Sequence, residues 1–128
     1  EISFLKMKAL IRLVFLISII IVFSLSIVNA SKIPNFAMLS FMSDKFVHAL
    51  TYFYLTLLGL FSRFNVNELF VVMSIFIFGL IIELIHYFHP YRYFEYFDLL
   101  ANLIGVTIAL LIIRLKNNLI YWFIIFSP

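Results

Sequence analysis

Asp44, His48 and Tyr52 are spaced i, i+4, i+8, so on a helix they share one face. Asp98, Asn102 and Gly105 follow the i, i+4, i+7 pattern, and Glu83 with His86 is an i, i+3 pair. Carboxylate, imidazole, amide and phenol groups on matching faces can bind polar ligands, orient one another through hydrogen bonds and move protons. Two cations belong to the same stretch of chain: Lys45 next to Asp44, and Arg92 shortly before Glu95. Lys45 and Arg92 are candidate holders of a phosphate or carboxylate, Arg through a bidentate fork, with His48, Glu83 and Asp98 orienting them. The plainer alternative is mutual pairing. Lys45 or Arg92 would meet Glu83 or Asp98, Asn102 would bridge helices, and the network would set helix register and nothing else.

Two further chemistries use the same residues. His48 with Asp98 or Glu83 has the composition of an acid–base pair, although Ser43 nearby lacks any nucleophile-elbow context. Glu83-x-x-His86 has the spacing used in di-iron bundles, but a second Glu-x-x-His is missing from the sequence. His48, His86 and His89 are otherwise lone imidazoles and the chain has no Cys, so neither a metal nor another cofactor is expected. The basic residues are scattered at helix ends and form no patch for nucleic acid.

The elements that carry these residues must be lipid-embedded. Of 128 residues, 66% are hydrophobic and 12% charged, about half the charged fraction of an ordinary soluble domain. A chain with so little polar surface cannot cover its apolar atoms in water. Runs near the length a helix needs to cross the hydrocarbon core lie at 10–28, 46–62, 69–88 and 99–115. Arg12 stands at the end of the first, where its stem can snorkel to the headgroups. Polar residues at 29–35, the cluster Arg63, Asn65, Asn67 and Glu68, and His89-Pro90-Tyr91-Arg92 read as connections. The run at 119–126 is too short to cross, and with Tyr121 and Trp122 it reads as an interfacial segment. The expected fold is a single all-α membrane domain over 1–128: four transmembrane helices, up-down, with that segment at its C-terminus.

Orientation follows from the Lys and Arg positions. An N-in, C-in arrangement puts Lys6, Lys8, Arg12, Arg63, Arg114 and Lys116 inside against Lys32, Lys45 and Arg92 outside, a two-to-one bias. The Asp44, Glu83 and Asp98 stripes then share the outer side and converge toward the bundle interior, where buried polar groups find partners. Gly105 on that face allows close helix approach. A competing reading treats Met7-Lys8 as the start and Val28-Asn29-Ala30 as a signal-peptide cleavage site, which would leave three helices.

Asp44-Lys45-Phe46-Val47-His48-Ala49-Leu50-Thr51-Tyr52, Glu83-Leu84-Ile85-His86, and Arg92 with Phe94 before Asp98-Leu99-Leu100-Ala101-Asn102-Leu103-Ile104-Gly105 stand in one order. In motif, order and spacing they resemble the VanZ-like family, over roughly residues 10–115. His86 stands where that family usually has Gln, and Tyr91 where it often has Gly. The substitution at His86 keeps a donor and an acceptor but adds a titratable ring. The resemblance implies a small multi-pass protein of the bacterial cell envelope, embedded in plasma-membrane lipid. The family's namesake is linked to low-level resistance to the glycopeptide teicoplanin. The expectation is therefore a non-enzymatic protein whose outward polar pocket takes an anionic lipid-linked or glycopeptide ligand. The alternatives are an accessory subunit beside other membrane subunits, or an intramembrane acid–base enzyme.

Overall fold

The computed structural model describes residues 1–28, 41–90 and 93–128, with the side chains of 41–43 excluded. The expected loop at 29–35 with Lys32, the Ser43 side chain, and Tyr91 with Arg92 lie outside the described residues. The described chain forms four helices: α1 Ile2–Ile27, α2 Phe41–Phe61, α3 Glu68–Phe88 and α4 Tyr96–Phe126. Helices α1, α3 and α4 are long and apolar enough to cross a membrane. The protein is thus a multi-pass membrane protein, all-helical among the described residues. Helix α2 has 21 residues, or about 31 Å, but Asp44, Lys45 and His48 make its first turns polar.

Helix α2 is the centre of the bundle and contacts each of the other three helices. Tyr52, Leu55, Val71, Val72, Ile75 and Val106 form the core, with Phe15, Ile19 and Val22 of α1 packed against it. The polar composition of α2 follows from this position, because its side chains meet protein where those of α1 meet surroundings. No residue of α1 is buried. Many of its apolar groups, among them Leu10, Leu13 and Ile20, point outward like Phe70 and Leu111 on other helices, as a lipid solvent requires.

The closest approach is between α2 and α4, at Gly105. A Cβ on Gly105 would lie 2.2 Å from the carbonyl oxygen of Ala49 and 3.0 Å from the amide nitrogen of Phe53. Both are backbone atoms, so only a residue without a side chain lets the helices meet here. Hydroxyls inside the helices satisfy themselves locally. Ser18, Ser26, Thr56, Ser62, Ser74 and Thr107 each donate to the carbonyl four residues back.

Helices α1 and α2 begin at Ile2 and Phe41, ahead of the expected 10 and 46, and the surroundings of Arg12 and the end of α4 also differ from the sequence-based expectation. Arg12 is engaged by the protein: its Nε donates to Ser62 O at 3.0 Å and its Nη2 to Arg63 O at 2.9 Å. It thereby supplies donors to the C-terminal end of α2, where Arg63 turns the chain at φ 46°. The segment 119–126 is not separate from the fourth helix, because α4 continues unbroken to Phe126. Arg114-Leu115-Lys116-Asn117-Asn118 is polar but contains neither Gly nor Pro, so nothing in it stops a helix. Helix α3 starts and stops on clear signals. Asn67 accepts from the Leu69 amide at 3.1 Å, and His89 closes the helix ahead of Pro90.

Contacts divide the bundle into two ends. At one, Arg12 meets Ser62 and Arg63, and Arg114 lies 3.8 Å from Glu68. At the other are Ser26, Asp44, Lys45, His48, Glu83, His86, Glu95 and Asp98.

Candidate functional site

The polar end is built from the first turns of α2 and α4 and the last turn of α3. Lys45 stands at its centre. Its ammonium donates to Asp98 Oδ1, to Glu95 Oε2 and, at 3.1 Å, to Asp44 Oδ2. Its side chain is 13% exposed and that of Asp98 7%, so the Lys45–Asp98 pair is largely removed from solvent. Helices α2 and α4, brought together at Gly105, are therefore also joined by a partly buried ion pair. Such a pair fixes register more surely than it adds stability, because desolvation offsets much of the Coulombic attraction.

Each aspartate turns its second oxygen to His48. Nε2 of His48 lies 3.6 Å from Asp98 Oδ2 and 3.9 Å from Asp44 Oδ1. On the other side of the ring, Nδ1 is 3.3 Å from Asn102 Oδ1, an atom that can only accept. Nδ1 therefore carries the hydrogen, and the tautomer is set by a fully buried amide. The Asn102 side chain is itself held against Tyr52 and Gly79, where a Cβ would lie 2.9 Å from Asn102 Nδ2 and 2.8 Å from Tyr52 Cε1.

Glu83 and His86 form a second group in the same layer. Nε2 of His86 donates to Ser26 O at 2.8 Å, tying α3 to α1, and Nδ1 lies 3.3 Å from Glu83 Oε1. The carboxylate of Glu83 is fully buried. Its Oε2 accepts from the Glu95 amide at 3.3 Å, while Oε1 has no hydrogen-bond partner. Glu83 and the Lys45 cluster thus meet through one residue, Glu95.

The stripes expected from spacing do converge: Asp44, Lys45, His48, Asp98 and Asn102 touch directly. Glu83 and His86 adjoin them, and Tyr52 lies buried beneath. Lys45, a candidate anion holder by sequence, spends its ammonium on three carboxylates. Arg92 lies outside the described residues. Ser26 and Gly79 were not anticipated as parts of the site, and Glu95, placed by sequence beside Arg92 in the same polar stretch, was not among the candidate binding residues. Glu95 precedes α4 as its N-cap without a capping hydrogen bond from its side chain, which reaches Lys45 instead. Ser26 contributes only a main-chain oxygen, for which side-chain type carries no signal.

A cleft of about 460 Å³ opens on this cluster. Val22, Leu25 and Val47 supply apolar wall, and Asp44, His48, His86, Glu95 and Asp98 supply polar wall. That combination suits an amphipathic molecule with its head among carboxylates and imidazoles. Compared with known protein families, curated proteins and solved structures, the chain matches none.

Proposed function

We propose that this chain is a VanZ-like protein of the cell envelope that binds the head of a lipid-linked or glycopeptide molecule in its polar cleft. In this reading α2 crosses the membrane with the other three helices, up-down, and both termini face the cytoplasm. The basic end, with Arg12, Arg63, Arg114 and Lys116, is then cytoplasmic, and the carboxylate-rich end is external. The observation that carries the proposal is the cleft itself, apolar on one wall and lined with carboxylates and imidazoles on the other.

The engagement of Lys45 bears on which head groups fit. Among the described residues the polar wall offers mainly acceptors, so hydroxyls and amines of a sugar or peptide head are the matching donors. Arg92 remains a candidate for any anionic part of the ligand.

The test is susceptibility to teicoplanin and vancomycin in a Gram-positive host expressing the chain. Wild type, Arg92→Ala and Asp98→Asn are compared at equal membrane levels. Resistance to teicoplanin alone that is lost in both variants is the expected result. An unchanged susceptibility with inserted wild type removes the glycopeptide reading. In that case the accessory-subunit reading leads, favoured by the last turns of α4, where Trp122, Phe123 and Phe126 are all exposed beyond the bundle core. Copurification of a membrane partner would then be the measurement.

A further inference from the structure

We propose that Asp44, His48 and Asp98 form a binding site for a divalent transition-metal ion of the zinc type. One carboxylate oxygen of each aspartate and one ring nitrogen of His48 all lie within 4.8 Å of one another. Tetrahedral zinc with bonds of about 2.0–2.1 Å needs ligand atoms roughly 3.4 Å apart. The 3.6 Å and 3.9 Å separations of His48 Nε2 from the two carboxylates are near this, and rotation of the aspartate side chains brings the carboxylate oxygens, within 4.8 Å of each other, closer.

The case rests on how the ring is held. Asn102 takes the Nδ1 hydrogen of His48, so in the neutral ring Nε2 presents a lone pair. That lone pair faces Asp98 Oδ2 and Asp44 Oδ1, which are lone-pair donors themselves. Three donors directed at one point repel each other unless a cation, a metal ion or a proton on Nε2, lies among them. Fixing the far nitrogen of a ligating histidine on a carbonyl oxygen is also the usual outer-shell device of metal sites.

Charge points the same way. Asp44, Glu95 and Asp98, when ionised, surround the single ammonium of Lys45, leaving two negative charges in the cluster. Lys45 uses Asp98 Oδ1 and Asp44 Oδ2, the oxygens turned away from His48, so ammonium and metal need not compete for the same atoms. All three ligand residues line the cleft, which leaves the remaining coordination position open to water or to a ligand's oxygen. One imidazole with two carboxylates suits zinc better than magnesium or calcium, whose sites are all oxygen. This site stands independently of any ligand in the cleft and of which way the protein faces.

The protein, purified in detergent with any affinity tag removed, is titrated with Co2+ as a spectroscopic stand-in and then with Zn2+. The expected result is one saturable equivalent per chain, with ligand-field absorption of a four-coordinate centre that Zn2+ abolishes. His48→Ala and Asp98→Asn should weaken binding more than tenfold, and Asn102→Leu about 10–100-fold, as outer-shell changes do. His89→Ala, at a histidine outside the cluster, should leave it unchanged. Folding of each variant is checked by gel filtration and circular dichroism. Should a variant fail to fold, wild type with 15N-labelled histidine gives the answer. Zn2+ should shift the Nε2 resonance of one of the three histidines while its Nδ1 stays protonated. Folded wild type that takes up neither ion overturns the proposal. So does uptake that survives His48→Ala, or a His48 Nε2 that keeps a proton in excess Zn2+.

Discussion

Replacing Gly105 with Ala tests the α2–α4 contact that aligns the polar cluster. The added methyl would lie 2.2 Å from Ala49 O, whereas carbon and carbonyl oxygen rest roughly 3.3 Å apart. The obstacle is backbone, so no rotamer change relieves it, and the helices must part by about 1 Å. Overpacking against an unyielding neighbour costs about 3 kcal/mol, the upper part of its usual range. Better helix propensity of Ala returns about 1 kcal/mol. The net loss is about 2 kcal/mol, or roughly 30-fold in the folded-to-unfolded ratio. Gly59 is the internal control. A Cβ there meets only side-chain atoms, Val71 Cγ1 at 3.0 Å, Ile75 Cδ1 at 3.1 Å and Phe15 Cε2 at 3.3 Å, all of which can give. Gly59→Ala should therefore change stability by less than about 1 kcal/mol. Unfolding in mixed micelles with increasing SDS, followed by circular dichroism, measures both. Equal stability of the two variants, or a Gly105→Ala protein as stable as wild type, would refute the close-contact argument.

The two buried acids should respond differently to loss of charge. Asp98→Asn removes a partner from Lys45, although Glu95 and Asp44 remain, and should cost about 2–3 kcal/mol in the same unfolding assay. Glu83→Gln keeps an acceptor for the Glu95 amide and removes charge from a carboxylate whose Oε1 has no hydrogen bond. It should therefore be neutral within about 1 kcal/mol, or stabilising. Arg12→Ala deletes the donors to Ser62 O and Arg63 O, and should lower stability by about 2 kcal/mol because the bonds are charge-assisted but partly exposed. Arg12→Lys should recover only part of this in the same assay, because an ammonium lacks the fork that reaches both carbonyls.

Helix periodicity made much of the site legible. The i, i+4 spacings of Asp44 with His48 and Asp98 with Asn102 put the right groups on one face, and the demand for partners in lipid brought those faces together. Which charges would meet was not legible, since Lys45 could answer an external anion or a carboxylate of the protein equally well. The fold resolves this by placing the N-terminal turns of α2 and α4 side by side, so three carboxylates reach Lys45 first. The pairing of Glu95 with Lys45 was not legible because Glu95 lies before α4, where helical spacing gives no guidance. Arg12 looked like a membrane-edge residue because its partners are main-chain oxygens about fifty residues away. The full length of α4 was hidden by a polar run that interrupts the apolar pattern but contains no helix breaker. Metal-ligand geometry was likewise beyond reach, because Asp98 joins Asp44 and His48 only through the packing of α4 on α2.

The central claim is that the carboxylate and imidazole cluster opens to the outside of the cell while the basic end faces the cytoplasm. The chain has no Cys, so single cysteines can be introduced without background. Tyr93→Cys replaces an exposed residue on the wall of the cleft, and Asn117→Cys replaces an exposed residue at the other end. Intact cells are treated with a membrane-impermeant maleimide, with and without permeabilisation. The account predicts labelling at position 93 in intact cells and at position 117 only after permeabilisation; the reverse pattern, or labelling of both positions in intact cells, would contradict it.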